Sequence, residues 1–267
     1  SMKHVEIRQI FYDCISFSQI QPEFIPLDNT YGDKSWFEFW AIKNYLDNAE
    51  LSDNVFYGFF SPKFTLKTGL SGVSAIRAIE ENSEKDVVLF SYAWDQLCFF
   101  LNPWEQGEVW QTGITQATQD FLNHMGSDIN LSGLVTSRNN SVFSNFVVAK
   151  KSYWEKWKTI AAQFLSYADD PDGQLFYQET QYIRGKQPMK VFIQERLPAL
   201  ILAEKSFSTV AIDVKTGTTA PFFIDNPENK RLLEICDLIK DEIITSGATA
   251  NLIADFKRAR DNVLFQI

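Results

Sequence analysis

Acidic side chains set in apolar surroundings are the groups of this chain best suited to chemistry, and three positions stand out. Asp95 follows the apolar run Val87 to Tyr92 in the segment Ser-Tyr-Ala-Trp-Asp-Gln. That places it at the C-terminal edge of a buried strand, where open α/β sheets hold a metal-bound pyrophosphate or a sugar hydroxyl. The structural alternative is an N-cap for the next helix. Glu105 and Glu108 stand with Asn102 and Gln106 in Asn-Pro-Trp-Glu-Gln-Gly-Glu. A loop closed by side-chain to backbone hydrogen bonds has the same composition. Glu195, in Met-Lys-Val-Phe-Ile-Gln-Glu-Arg-Leu, shares a helical face with Val191 and Leu202. A carboxyl on such a face needs a partner or a raised pKa, and a raised pKa is what a general base near neutrality requires. Arg184, Lys190 and Arg196 are the candidate partners for a purely structural salt bridge. Asp170 and Asp172 spell a further Asp-x-Asp, but in a turn after a surface helix.

The composition narrows what those acids could serve. No Gly-x-Gly-x-x-Gly follows the first strand, and no Gly-x-x-x-x-Gly-Lys-Ser/Thr occurs, which removes the dinucleotide and P-loop signatures. There is no Gly-x-Ser-x-Gly elbow, and His4 and His124 are the only histidines, so a Ser-His-Asp triad and a histidine-rich metal centre lose support. Cys14, Cys98 and Cys236 lack paired spacing and read as small buried hydrophobes of a reducing compartment. A net charge of −9 argues against nucleic acid as a partner. No apolar run reaches the roughly 20 residues of a bilayer span, and no signal-peptide core opens the chain, so the expected location is cytoplasmic.

The elements that must position these acids alternate between the strand and helix periods. Strands are expected over Ile7–Ile15, Glu23–Leu27, Asn54–Phe60, Asp86–Tyr92, Ser141–Lys150 and Thr209–Val214. Between them the spacing predicts a helix after Asp33 with Trp36, Phe39, Trp40, Ile42, Tyr45 and Leu46 on its apolar stripe. Further helices are predicted over Gly69–Asn82, from about Thr115, around Trp154–Leu165, and over Pro188–Lys205, Glu228–Thr245 and Thr249–Asn262. Asn102-Pro103 and Gln106-Gly107 read as breaks. The segment Phe24 to Pro62 reads as strand, helix, strand. No linker or repeat interrupts the pattern, so one α/β domain over 1–267 is expected, with a core at 6–205 and a C-terminal strand and helices at 206–267. Aromatics make up 15% of the chain. Each is first a core residue, although Trp94, Trp104 and Trp110 are suited to stacking on sugar faces.

The order of several segments carries a resemblance. Ile25-Pro-Leu-Asp-Asn29, the Trp36/Glu38/Trp40 helix, Phe56-Tyr-Gly-Phe-Phe-Ser-Pro62, Asp95-Gln96, Phe100-Leu-Asn102, Glu105-Gln-Gly-Glu108, Ser137-Arg-Asn139, Ser144-Asn-Phe-Val-Val-Ala-Lys150 and Val191–Leu197 together resemble a bacterial family of glycosyltransferase-like proteins from surface-polysaccharide gene clusters. More distantly, the chain is similar to capsular-polysaccharide transferases of the GT-A fold. The resemblance implies a GT-A-like, mostly parallel sheet flanked by helices. It also implies transfer of a sugar from a nucleotide-sugar donor to a saccharide or lipid-linked acceptor of a growing lipopolysaccharide or capsule. The donor nucleotide would lie near Tyr12, Asp28, Asn29 and Tyr57, with Ser61, Arg138 and Asn145 as further donor contacts. Asp95 would lie near the pyrophosphate, and Glu105, Glu108 or Glu195 would be the base. Metal-dependent enzymes of this fold hold Mg or Mn on an Asp-x-Asp after a core strand, and that location here offers Asp95 followed by Gln96. A non-catalytic carbohydrate-binding or polysaccharide-assembly protein keeping the same fold is the second reading. A glycoside hydrolase built on a carboxylate pair is the third. Lys257, Arg258 and Arg260 could bring the last helix to an anionic membrane or a partner, or form a solvated face.

Overall fold

The computed structural model describes residues 4–182, 185–214, 226–247 and 249–264. Its strands are β1 (His4–Phe11), β2 (Ile25–Asp28), β3 (Val55–Phe60), β4 (Val87–Phe90), β5 (Val147–Lys150), β6 (Glu179–Tyr182), β7 (Gly185–Pro188) and β8 (Thr209–Ile212). Six of them form one sheet in the order β2-β1-β3-β5-β4-β8, while β6 and β7 make a separate antiparallel hairpin. β5 runs against both of its neighbours and every other pairing in the large sheet is parallel. The chain is therefore α/β with a mixed, mostly parallel sheet.

The helices are α1 (Cys14–Ser18), α2 (Glu38–Asn48), α3 (Phe64–Thr68), α4 (Gly72–Glu81), α5 (Trp94–Phe99), α6 (Pro103–Trp110), α7 (Ile114–His124), α8 (Lys151–Ala168), α9 (Met189–Gln194), α10 (Leu197–Leu202), α11 (Pro227–Ser246) and α12 (Ala250–Asp261). Among the described residues no helix is long and apolar enough to cross a membrane.

The sheet buries both faces, as parallel sheets must. Adjacent residues of a strand point to opposite faces, and on β3 both are large aromatics. Phe59 meets Tyr45 of α2 and Trp154 of α8, with ring centroids 5.3 and 5.0 Å apart. Phe60 faces the other way, stacked on Phe64 of α3 at 4.1 Å and edge-on to Phe90 and Phe146. Gly58 precedes them, where a Cβ would stand 2.8 Å from Val148 Cγ2 on β5. A second apolar cluster, Trp94, Cys98, Phe99, Leu232, Leu233 and Val263, fixes the C-terminal helices to α5.

Several boundaries differ from the sequence expectation, each for a local reason. β1 stops at Phe11 because Asp13 and Ser16 form a reciprocal capping box that starts α1. The strand expected over Ser141–Lys150 begins only at Val147, since Ser144 and Asn145 hold φ of 62° and 58°. Gln106-Gly107 lies inside α6, which starts at Pro103 with Asn102 as its N-cap. The helix expected from Pro188 breaks at Glu195-Arg196, ahead of Pro198 in the first turn of α10. β2 and β3 are not neighbours, because β1 lies between them. Cys14 is exposed, whereas Cys98 and Cys236 are buried with thiol pKa values raised by loss of solvent, that of Cys236 to about 11.

Candidate functional site

The parallel strands all end at one edge of the sheet, and a cavity of about 460 Å³ opens there. One side is built from strand ends. Tyr12 follows β1, Ser61 to Lys63 follow β3, Tyr92 and Ala93 follow β4, and Phe143 and Ser144 precede the antiparallel β5. The far side is formed by the break between α9 and α10, which contributes Glu195 and Arg196, and by Gln106 and Trp110 of α6. Volume and lining, mixed aromatic and polar, are those of a small-molecule site.

Backbone strain concentrates at this edge. Of the five described non-glycine residues with φ in the left-handed region, Phe37 (51°), Ala93 (56°) and Ser144 (62°) line the cavity, and Asn145 (58°) adjoins it. Such conformations cost an L-residue about 1 kcal/mol or more each and persist only where surrounding contacts enforce them. Asn145 shows one such contact, donating to Gln194 Oε1 at 3.1 Å.

The electrostatics centre on Glu195. Burial, together with the charge of Glu38 on the same wall, pushes its carboxyl up to about 7, while Lys67 and Arg196 pull the other way. Arg196 is buried, and loss of solvent brings its guanidinium down to about 10. All its hydrogen-bond acceptors are neutral: the carbonyl oxygens of Pro103 (2.9 Å) and Phe192 (2.8 Å) and Oε1 of Gln106 (2.5 Å). Gln106 in turn donates to Gln96 Oε1 at 2.5 Å. Gly107 permits this approach, since a Cβ on it would stand 2.8 Å from Ile114 Cγ2 and 3.1 Å from Arg196 Nη2.

The structure separates the residues that the sequence singled out. Glu195, Tyr12 and Ser61 line the cavity, and Asn145 stands beside it. Asp95 does not line it; the residue lies in the first turn of α5, fully buried, and its neighbours Ala93 and Gln96 form the wall instead. Glu105 ties the C-terminal helices down, accepting from Arg260 at 2.6 Å and from the Leu101 N–H at 3.0 Å. Glu108 caps α7 by accepting from the N–H groups of Gly113 and Thr115, both at 2.9 Å, bonds that hold its carboxyl below the usual range. Neither lines the cavity.

The nucleotide contacts expected from the resemblance divide in the same way. Asp28 is exposed at the end of β2, accepting from Thr30 N–H at 2.8 Å, and Asn29 donates to the Phe37 carbonyl at 3.4 Å. Tyr57 is buried, and its hydroxyl accepts from Ser52 N–H at 2.7 Å, toward the opposite end of β3 from the cavity. Arg138 pairs with Asp237 of α11 at 3.1 Å and lies over the Trp94 ring. Of the three tryptophans suited to stacking, Trp104 is buried against Thr118 and Trp94 is in the C-terminal cluster. Trp110 is 51% exposed and lines the cavity. Of the basic group of α12, Arg260 points inward to Glu105, whereas Lys257 and Arg258 are exposed. Of the partners considered for Glu195, Lys190 donates to Ser35 Oγ at 3.0 Å over the Trp36 ring, and Arg184 lies outside the described residues.

Sequence reasoning passed over Lys67, and it named Glu38 and Gln106 within motifs without giving either a place in the site. Gln106 had a signal in its place between Glu105 and Glu108, and Glu38 in its place between Trp36 and Trp40. Lys67 comes to the cavity through tertiary placement alone. Among the described residues no three His, Cys, Asp or Glu side chains converge as a metal group. The donor set on the wall is two acids, Glu38 and Glu195, interleaved with Lys63, Lys67 and Arg196. That set does not fit a divalent ion held by paired aspartates.

The fold and the site define an α/β protein with a polar, aromatic-lined cleft at the carboxyl ends of its strands. The chain matches no family model, and no curated protein or solved structure gives a significant match to it.

Proposed function

We propose that the chain is a GT-A-like glycosyltransferase that moves a sugar from a nucleotide-sugar donor to a saccharide acceptor of a bacterial surface polysaccharide. One observation carries this reading: Glu195, a carboxyl with a pKa of about 7, lines a cavity at the strand edge where α/β proteins bind nucleotides. As base, Glu195 accepts the proton of an acceptor hydroxyl while that oxygen bonds the anomeric carbon. The bond from that carbon to the donor phosphate breaks, and its electron pair leaves with the nucleoside diphosphate. Trp110, open to solvent at the mouth, is placed to stack on a sugar face. The enclosure of Asp95 favours a second reading, a non-catalytic carbohydrate-binding or assembly role, since no acid pair then follows β4.

A thermal-shift screen of nucleotide sugars, followed by a transfer assay on the one that stabilises, tests the proposal. The expected result is donor turnover that falls by about 100-fold or more in Glu195→Gln with donor affinity retained. Turnover unchanged in Glu195→Gln overturns the assignment. Stabilisation by saccharides and by no nucleotide sugar supports the assembly role instead.

A further inference from the structure

We propose that the cavity holds the diphosphate of its ligand directly on the Lys67 ammonium, backed by the fixed positive charge of Arg196, with no divalent ion between phosphate and protein. This rests on the transferase reading for the rest of the ligand. The residues that argue for a phosphate do not.

Lys67 lies in the last turn of α3, at the end of the strand-end loop after β3. Its Nζ donates to Ser144 Oγ at 3.0 Å and stands 5.1 Å from the Tyr92 ring centroid and 5.9 Å from that of Phe146. An ammonium has three donors, and these contacts include one neutral oxygen and two ring faces. Among the described residues no carboxylate lies within ion-pair distance of it. Glu195 feels its charge without touching it. The hydroxyl that orients Lys67 belongs to a serine held at φ 62°, so local strain is maintained to aim a cation across the cleft.

Arg196 adds to the same field. Its guanidinium is buried on neutral acceptors only, so none of its hydrogen bonds goes to an opposite charge. Lys67 and Arg196 then share the wall with Glu38 and a Glu195 that is only partly ionised at neutral pH. The wall is left net positive in a protein whose overall charge is −9. A buried or half-buried cation whose nearest counter-charge is a partly ionised carboxyl out of contact is costly, and a diphosphate supplies a full one with the charge-assisted hydrogen bonds ammonium groups form well. The same wall repels Mg or Mn.

The test is calorimetric titration of inorganic pyrophosphate and of uridine, guanosine and thymidine diphosphate sugars in EDTA and again in Mg. The proteins are the full chain, Lys67→Met, Lys67→Arg and Ser144→Ala, each checked for native circular dichroism. Expected is binding in EDTA that Mg does not strengthen, weakened about tenfold or more in Lys67→Met, less in Ser144→Ala, and largely restored in Lys67→Arg. Affinity that appears only with Mg, or a Lys67→Met protein that binds as the wild type does, overturns the proposal. Lys67-dependent pyrophosphate binding with no nucleotide sugar bound supports the phosphate site and removes the transferase reading. Nucleotide-sugar binding that needs Mg and is indifferent to Lys67 does the reverse. Silence toward every probe removes both.

Discussion

Arg196 and Gln106, 90 positions apart, meet at 2.5 Å in the protein interior, the guanidinium Nη2 donating to the amide Oε1. The contact joins the break between α9 and α10 to α6, and Gln106 passes the link to Gln96 on α5. Removing one partner of a buried charged hydrogen bond leaves the other desolvated and unmatched, which costs more than the bond itself contributes. Gln106→Leu is therefore expected to lower stability by about 2–3 kcal/mol. Gln106→Glu gives the guanidinium a charged partner and is expected to lose about 1 kcal/mol or less. Urea unfolding midpoints of the two variants check the order.

Glu195 makes stability fall as pH rises. Its carboxyl titrates near 4.5 in the unfolded chain and about 7 in the folded one, so the folded state binds more protons between those values. Its contribution is most favourable below pH 4.5 and is lost as pH climbs through 7. Glu195→Gln removes this term. The stability of the variant relative to wild type should therefore grow by up to about 3 kcal/mol between about pH 5 and about pH 8. Chemical denaturation at several pH values measures the difference curve, and a flat curve refutes the assignment. The transfer rate, if Glu195 is the base, should rise through pH 7 in the wild type alone.

The alternation of strand and helix was legible because buried parallel strands and amphipathic helices have different periods. Val87 to Phe90 and the Trp154/Trp157/Ala161/Phe164 stripe fall where the pattern puts them. The failures cluster where side-chain chemistry ends an element. Asp13 with Ser16 ends a strand and Pro198 ends a helix inside runs whose period continues past them, while the Asn102-Pro103 break falls where the letters put it and Gln106-Gly107 lies inside α6. Glu195 was legible as an acid in an apolar run. What the sequence hid is that the helix breaks beside it, turning both Glu195 and Arg196 to the cleft. Lys67 was illegible for another reason: its meaning comes from Ser144, 77 positions away, and from having no carboxylate within ion-pair distance among the described residues. Neither leaves a periodic trace.

Lys240 shows how the C-terminal helices hold the sheet edge in place. Its buried ammonium donates to the carbonyls of Leu97 at 2.5 Å and Phe100 at 2.6 Å, serving carbonyl groups that the end of α5 leaves open. Burial lowers its pKa, so dehydration of the charge offsets part of those two bonds. The expected cost of Lys240→Met, which keeps the bulk of the side chain, is about 2 kcal/mol rather than the 4 or more that two undiminished charged bonds would suggest. Denaturant unfolding gives the number. A variant as stable as wild type would mean that packing in the Trp94 and Leu233 cluster, not the cap, anchors these helices.

Ala93 tests whether the strain at the cleft serves binding. Its φ of 56° and ψ of 39° place it in the left-handed region as N-cap of α5, a conformation glycine adopts freely and alanine does not. Ala93→Gly is expected to raise stability by about 0.5–1 kcal/mol, because relief of the strained conformation outweighs the extra entropy of the unfolded chain. At Ala75, buried on α4 with ordinary helical geometry, the same change should lower stability by about 1 kcal/mol or more. The two variants together separate strain relief from the general effect of glycine. If the wall must be rigid to present Tyr92 and Gln96 to a ligand, the more stable Ala93→Gly protein will bind its nucleotide sugar severalfold more weakly. Gain in stability with unchanged affinity would mean that the left-handed turn is a packing feature, and that Ser144, which orients Lys67, is where strain and binding meet.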